Sequence, residues 1–146
     1  MLEHSLEMNG HIEKRRIFIR LFFYALNKEY VFRLDTGCTF NLIIYKEYQE
    51  ELQLIDDTEL DQQPALLADG SKVFYNRKWA RIGWFGTEKA VIAHVPKRDR
   101  PIPEGYQINP EKGYVYDDGT AGILGTGLLE TVFIDFVSNT FSLRKT

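Results

Sequence analysis

Short apolar runs, each broken by turn residues, set the pattern of this chain. Ile17–Ala25 and Tyr30–Leu34 are rich in aromatic and β-branched residues and flank Asn27-Lys28-Glu29. They predict a β-hairpin whose second strand runs straight into Asp35. An apolar run follows at Phe40–Ile43. In "YKEYQEELQL", Tyr45, Tyr48 and Leu52 then recur at helical spacing among charges, which predicts a short amphipathic helix. The connector "TELDQQP" is polar, and Pro64 discourages helix there. "ALLADGSKVFYN" reads as strand, Asp69-Gly70 turn and strand, since Asp-Gly between apolar runs is a strong hairpin signal. "KWARIGWFGTEKAVIAHVP" continues as two strands turning near Phe85-Gly86-Thr87.

From Lys97 to Gly122 the chain is rich in Pro, Gly and charge, a long loop with one short strand expected over Gly113–Tyr116. The last stretch, "GILGTGLLETVFIDFVSNTFSLRKT", predicts an apolar turn on Gly125 and a short helix through Leu128–Leu129. Strands over Val132–Phe136 and Thr140–Leu143 should follow, around Ser138-Asn139. Many short strands with regular turns indicate a mainly β domain, a barrel or a sandwich.

With 146 residues and 44% hydrophobic content, the chain fits one domain with a substantial core. A lead-in over 1–15, a loose terminus or an edge strand over its first eleven residues, precedes a single domain over 16–146. The net charge is −3 and Lys and Arg are scattered, which argues against a nucleic-acid surface. Cys38 is the only cysteine, so no internal disulfide can form and a reducing, cytoplasmic setting is expected. The first residues lack the apolar core of a signal peptide, and no apolar run is long enough to span a bilayer. A soluble protein with no membrane association is the expectation.

The chemistry concentrates at "VFRLDTGCTFNLI". A strand that ends on an ionisable carboxylate and turns on a glycine needs a reason, because a desolvated charge is costly unless it is partnered or functional. The plain explanation is a tight turn in which Asp35 accepts backbone hydrogen bonds. Gly119, Gly122, Gly125 and Gly127 match neither GxGxxG nor a P-loop, so a phosphate cradle is excluded. Cys38, His4, His11 and His94 show no metal-ligand spacing. A Cys38–His94 nucleophilic pair stays open, since such partners meet in space and not in sequence. Trp79, Trp84 and Phe85 fit core or barrel-face packing, or the wall of a peptide groove.

Taken in order, these features resemble the retropepsin-like aspartic proteases, the one-domain, self-dimerising members of their superfamily. The resemblance runs from about Arg16 to Leu143. A hairpin feeds Leu34-Asp35-Thr36-Gly37, a hairpin at Asp69-Gly70 stands where the family has its flap, and Ile123-Leu124-Gly125 with Leu128-Leu129 matches its hydrophobic-hydrophobic-Gly element. It implies a closed β barrel with a flap hairpin, a ψ-loop active site and one or two short helices, assembled as a homodimer. It assigns Asp35, Thr36 and Gly37 to catalysis, Ala68, Asp69, Gly70 and Ser71 to substrate binding, and Ile123, Leu124 and Gly125 to support of the site. No metal or cofactor is implied.

Peptide hydrolysis by this route needs two carboxylates about 3 Å apart sharing one proton. Only one Asp-Thr-Gly is present. Asp56-Asp57 and Asp117-Asp118 lack the following Thr-Gly, so the second carboxylate is expected from Asp35 of another copy across a two-fold axis. The chain departs from the family in three places. Cys38 follows the glycine where Ala or Ser is usual, the expected flap has one glycine, and Lys97–Gly122 is longer than minimal members need. These departures keep a second reading in play, the same fold as a non-catalytic peptide-binding or dimerisation module.

Overall fold

The computed structural model describes residues 7–13, 15–56, 63–66, 72–97, 119–129, 132–137 and 140–145. Among them, eleven strands form one sheet: β1 Glu7–Glu13, β2 Arg16–Phe23, β3 Lys28–Leu34, β4 Leu42–Ile44, β5 Ile55–Asp56, β6 Gln63–Leu66, β7 Lys72–Trp84, β8 Thr87–Pro96, β9 Gly122–Leu124, β10 Val132–Val137 and β11 Thr140–Lys145. The order is β10-β11-β1-β2-β3-β9-β4-β8-β7-β5, with β6 also on β7 and β7 returning to β2 at the single pair Phe23↔Ile82. No helix among the described residues is long and apolar enough to cross a membrane.

The expected β2–β3 hairpin forms in register from Phe18↔Arg33 to Phe23↔Lys28. Its turn bends at Asn27, which takes a left-handed φ of 51° that Asn tolerates better than most side chains. Along β3, Tyr30, Phe32 and Leu34 point into the core while Val31 and Arg33 are half-exposed, the period-2 pattern of a strand with one buried face. Phe32 stacks on Phe23 and Tyr30 meets Phe23 edge-on. Ile19, Leu21, Leu42, Ile44, Ile82, Ala93, Leu124 and Leu143 are fully buried around these rings. Each large member contributes roughly 1.5–3 kcal/mol on burial.

The β7–β8 hairpin turns on Phe85-Gly86, both at positive φ (52° and 76°), as a two-residue turn matching strand twist requires. A left-handed Phe costs roughly 1–2 kcal/mol. Burying the ring (2% exposed) against Trp84 offsets that, and the Phe85 N–H donates to Met8 Sδ of β1 at 3.3 Å.

Three expectations change. The helix over "YKEYQEELQL" is a single 3-10 turn, Lys46–Tyr48, followed by a bonded turn from Leu52 N–H to the Tyr48 carbonyl. Glu47, Glu50 and Glu51 repel one another at helical spacing, and a segment this short has little helical stability of its own. Gln53 then takes a φ of 50° and ends the turn, while buried Leu52 anchors it to the core. The helix expected at Leu128–Leu129 is likewise a 3-10 turn, Thr126–Leu128. Residues 7–13, within the expected lead-in, form an interior strand between β11 and β2. The Asp69-Gly70 and Ser138-Asn139 turns and the expected strand at Gly113–Tyr116 lie outside the described residues. The strands flanking both turns are antiparallel partners.

Candidate active site

β9 lies between β3 and β4, parallel to the first (Leu34↔Leu124) and antiparallel to the second (Leu42↔Leu124). The loop 35–41 therefore joins two strands that a third holds apart, and this lifts Asp35 to the end of the β3–β9 ladder. The Asp35 N–H continues that ladder by donating to the Leu124 carbonyl at 3.0 Å. The chain then doubles back. Gly37 N–H donates to Asp35 Oδ1 at 2.9 Å, and Cys38 N–H donates to the Asp35 carbonyl at 3.1 Å. This is the turn that an Asp with its own backbone partners makes. Asp35 is half-buried, and Thr36 and Gly37 are exposed.

The support residues meet this loop from the other side. Thr126 donates to the Cys38 carbonyl through both its N–H (2.8 Å) and its Oγ1 (3.0 Å). Gly125 N–H donates to the Asn41 carbonyl at 3.0 Å and Gly127 N–H to the Phe40 carbonyl at 3.2 Å. The approach is so close that a Cβ on Gly125 would stand 2.1 Å from the Phe40 carbonyl oxygen and 2.9 Å from Cys38 Sγ. Glycine is required here by contact and not by φ. Leu124 is fully buried and Ile123 half-buried, pairing with Arg33 and Ile43.

The structure thus brings Asp35, Thr36 and Gly37 together with Ile123, Leu124 and Gly125. Ala68, Asp69, Gly70 and Ser71 lie outside the described residues. Thr126, Phe40 and Asn41 belong to the same arrangement but carry no sequence signal beyond their nearness to the two motifs. Among the described residues no group of three or more His, Cys, Asp or Glu could hold a metal ion.

No protein-family model and no curated protein matches the chain. Among solved structures, "EIAV protease complexed with the inhibitor HBY-793" matches over 80% of this chain and 88% of its own, with a TM-score of 0.50 at 14% identity. The fold is retropepsin-like. At that identity the likeness is one of fold.

In this retropepsin-like frame the surroundings of Cys38 disfavour its thiolate. Burial pushes its thiol up, the Asp35 charge pushes the same way, and a hydrogen bond with the Phe40 backbone only partly opposes them. His94 moves down to about 4, first through burial and then through Arg77. A thiolate–imidazolium pair needs both shifts reversed. The His94 ring is occupied by Phe40, stacked at 3.8 Å between centroids.

Proposed function

We propose that the chain is an aspartic endopeptidase that hydrolyses peptide bonds with a water activated by paired Asp35 carboxylates across a homodimer. The observation that carries this reading is the place of Asp35, half-exposed at the end of β3, with Gly37 N–H on its Oδ1 and the 124–127 segment bracing the loop behind it. One chain supplies one such carboxylate. A two-fold axis beside it supplies the second without any further motif.

In the dimer, the ionised member of the pair takes a proton from water as the water oxygen attacks the peptide carbonyl carbon. The protonated member donates to the carbonyl oxygen. Collapse of the tetrahedral intermediate breaks the C–N bond, and the amine leaves with a proton from the pair. The barrel closes through the β2–β7 bridge, and the β6–β7 hairpin serves as the flap, holding an extended substrate against the site by backbone hydrogen bonds. No cofactor enters the reaction.

Asp35→Asn tests the reading. It should leave folding within about 1 kcal/mol of the parent and reduce cleavage of an unfolded protein substrate to background. Specific activity of the parent should fall on dilution through the dimer dissociation range. Equal peptide binding by parent and variant, with cleavage by neither, would identify a non-catalytic module instead.

A further inference from the structure

Phe40, in the loop that begins at Asp35, is gripped from two directions. Its carbonyl accepts the Gly127 N–H at 3.2 Å. Its ring lies flat on His94, with 3.8 Å between centroids and 9° between planes. Tyr75 closes the cluster edge-on, 5.3 Å from Phe40 and 5.8 Å from His94. Three rings therefore tie the Asp35 loop to β7 and β8. Tyr75 is also the cross-strand partner of Gln63 in β6, so the cluster sits at the root of the β6–β7 hairpin.

His94 is the one ring of the three that can change charge in the acid range, and it is 7% exposed. The elements packed against it act in both directions, and burial with Arg77 carries the balance towards a neutral ring. From β7, Arg77 stands directly opposite in the ladder, with Tyr75 beside it. From β4 come Leu42 and Ile43, neither ionisable, and the Leu42 backbone hydrogen bond favours the cation. From the loop comes Phe40, with Cys38 and Asp35 further along it. On β8 itself, Ile92 and Pro96 are uncharged and Lys97 lies beyond the strand. His94 Nδ1 meets no hydrogen-bond partner among the described residues. A bare lone pair is tolerable there, whereas protonation would create a buried N–H donor and a cation facing Arg77. Attraction of a cation to the Phe40 ring works the other way, and burial with Arg77 outweighs it.

We propose that His94 is a positioning residue for the Asp35 loop: as a neutral ring it clamps Phe40 against β7 and β8, and as a cation it releases Phe40 and disorders the site while the sheet persists. The activity arm of this proposal rests on the protease reading; the clamp does not.

The test is an NMR titration of the isotope-labelled full chain from pH 7 to 3.5. The His94 ring should titrate near 4, and the amides of Cys38 to Asn41 and Tyr75 should shift with the same midpoint. Phe40→Leu should uncouple the loop amides from that midpoint. In parallel, the acid limb of kcat for a peptide substrate should move to lower pH in His94→Phe, with KM changing less than kcat. A His94 ring titrating near 6.5 with the loop amides unmoved would overturn the clamp, as would an unchanged loop transition in His94→Phe. If that variant does not fold, the titration of the parent decides. A clamp transition in a chain that cleaves no peptide at any pH would sustain this inference and defeat the protease reading.

Discussion

Between Asp35, half-buried, and the exposed Gly37 the loop is bonded mainly to itself, whereas from Cys38 to Asn41 it is fastened to the 125–127 segment and to the His94 ring. Beyond Asp35's own ladder bond, the carboxylate end has one turn and one short-range hydrogen bond among the described residues. The far end has four hydrogen bonds from Gly125, Thr126 and Gly127 and an aromatic stack. The far end thus fixes where the loop stands, and the near end holds a half-buried Asp35 in its own turn. On the proposed dimeric reading, that less secured end is where a second copy would stand.

The largest effect should come from filling the tight approach at the far end. Gly125→Val must push a side chain into the Phe40 and Cys38 carbonyls, and backbone cannot yield as a flexible side chain would. A loss of about 3 kcal/mol or more is expected, read as a lower urea midpoint and loss of the cooperative transition at 37 °C. A variant as stable as the parent would show that the two loops are not rigidly joined.

Acid should loosen the same end by a smaller amount. The His94 pKa is about 4 in the folded chain against 6.5 as its ordinary value. Between those values the unfolded chain binds the extra proton, so stability is complete above about 6.5, declines as pH falls towards 4, and is flat from this group below that. The full difference is at most about 3 kcal/mol, and solvent screening lowers it. Urea midpoints at pH 7, 5.5 and 4, taken at fixed protein concentration, should fall in the parent and fall less in His94→Phe. Equal slopes would place the acid sensitivity elsewhere.

Thr126→Val removes the Oγ1 bond to the Cys38 carbonyl but leaves the N–H bond to the same oxygen. It should cost about 1 kcal/mol, measurable by denaturant unfolding. A cost above twice that would mean that the hydroxyl holds more of the loop than one bond.

The contrast between the two ends also explains what could be read from the sequence. Period-2 burial and turn residues announced β2–β3 and β7–β8 because those strands are local, and their order with Asp35-Thr36-Gly37 and Ile123-Leu124-Gly125 was enough to indicate the fold. The Phe40–His94 stack was not legible: it joins residues far apart in sequence, and neither has a spacing that betrays the other. The amphipathic pattern of Tyr45, Tyr48 and Leu52 was real, but it served a turn docked by Leu52 because clustered glutamates and short length outweighed periodicity. β1 was obscured by its polar composition, Glu7, Asn9, His11 and Glu13 among them. Its partners β2 and β11 supply the hydrogen bonds that hold it in the sheet.

The smallest effect on folding, and the sharpest test of the contrast, is at Gly37. Its φ is not in the left-handed region, and among the described residues an added Cβ would meet only Asp35 Oδ1, at 3.2 Å. Within one chain, Gly37→Ala should change stability by less than about 0.5 kcal/mol, the range of substitutions that disturb no buried packing. The same methyl leans on the carboxylate and on whatever faces it. If the near end is completed by a second copy, cleavage should fall at least tenfold and dimerisation should weaken while monomer stability holds. A variant that instead unfolds would show that the single chain already fixes its carboxylate end. The turn would then suffice to explain Asp35, with no twin required.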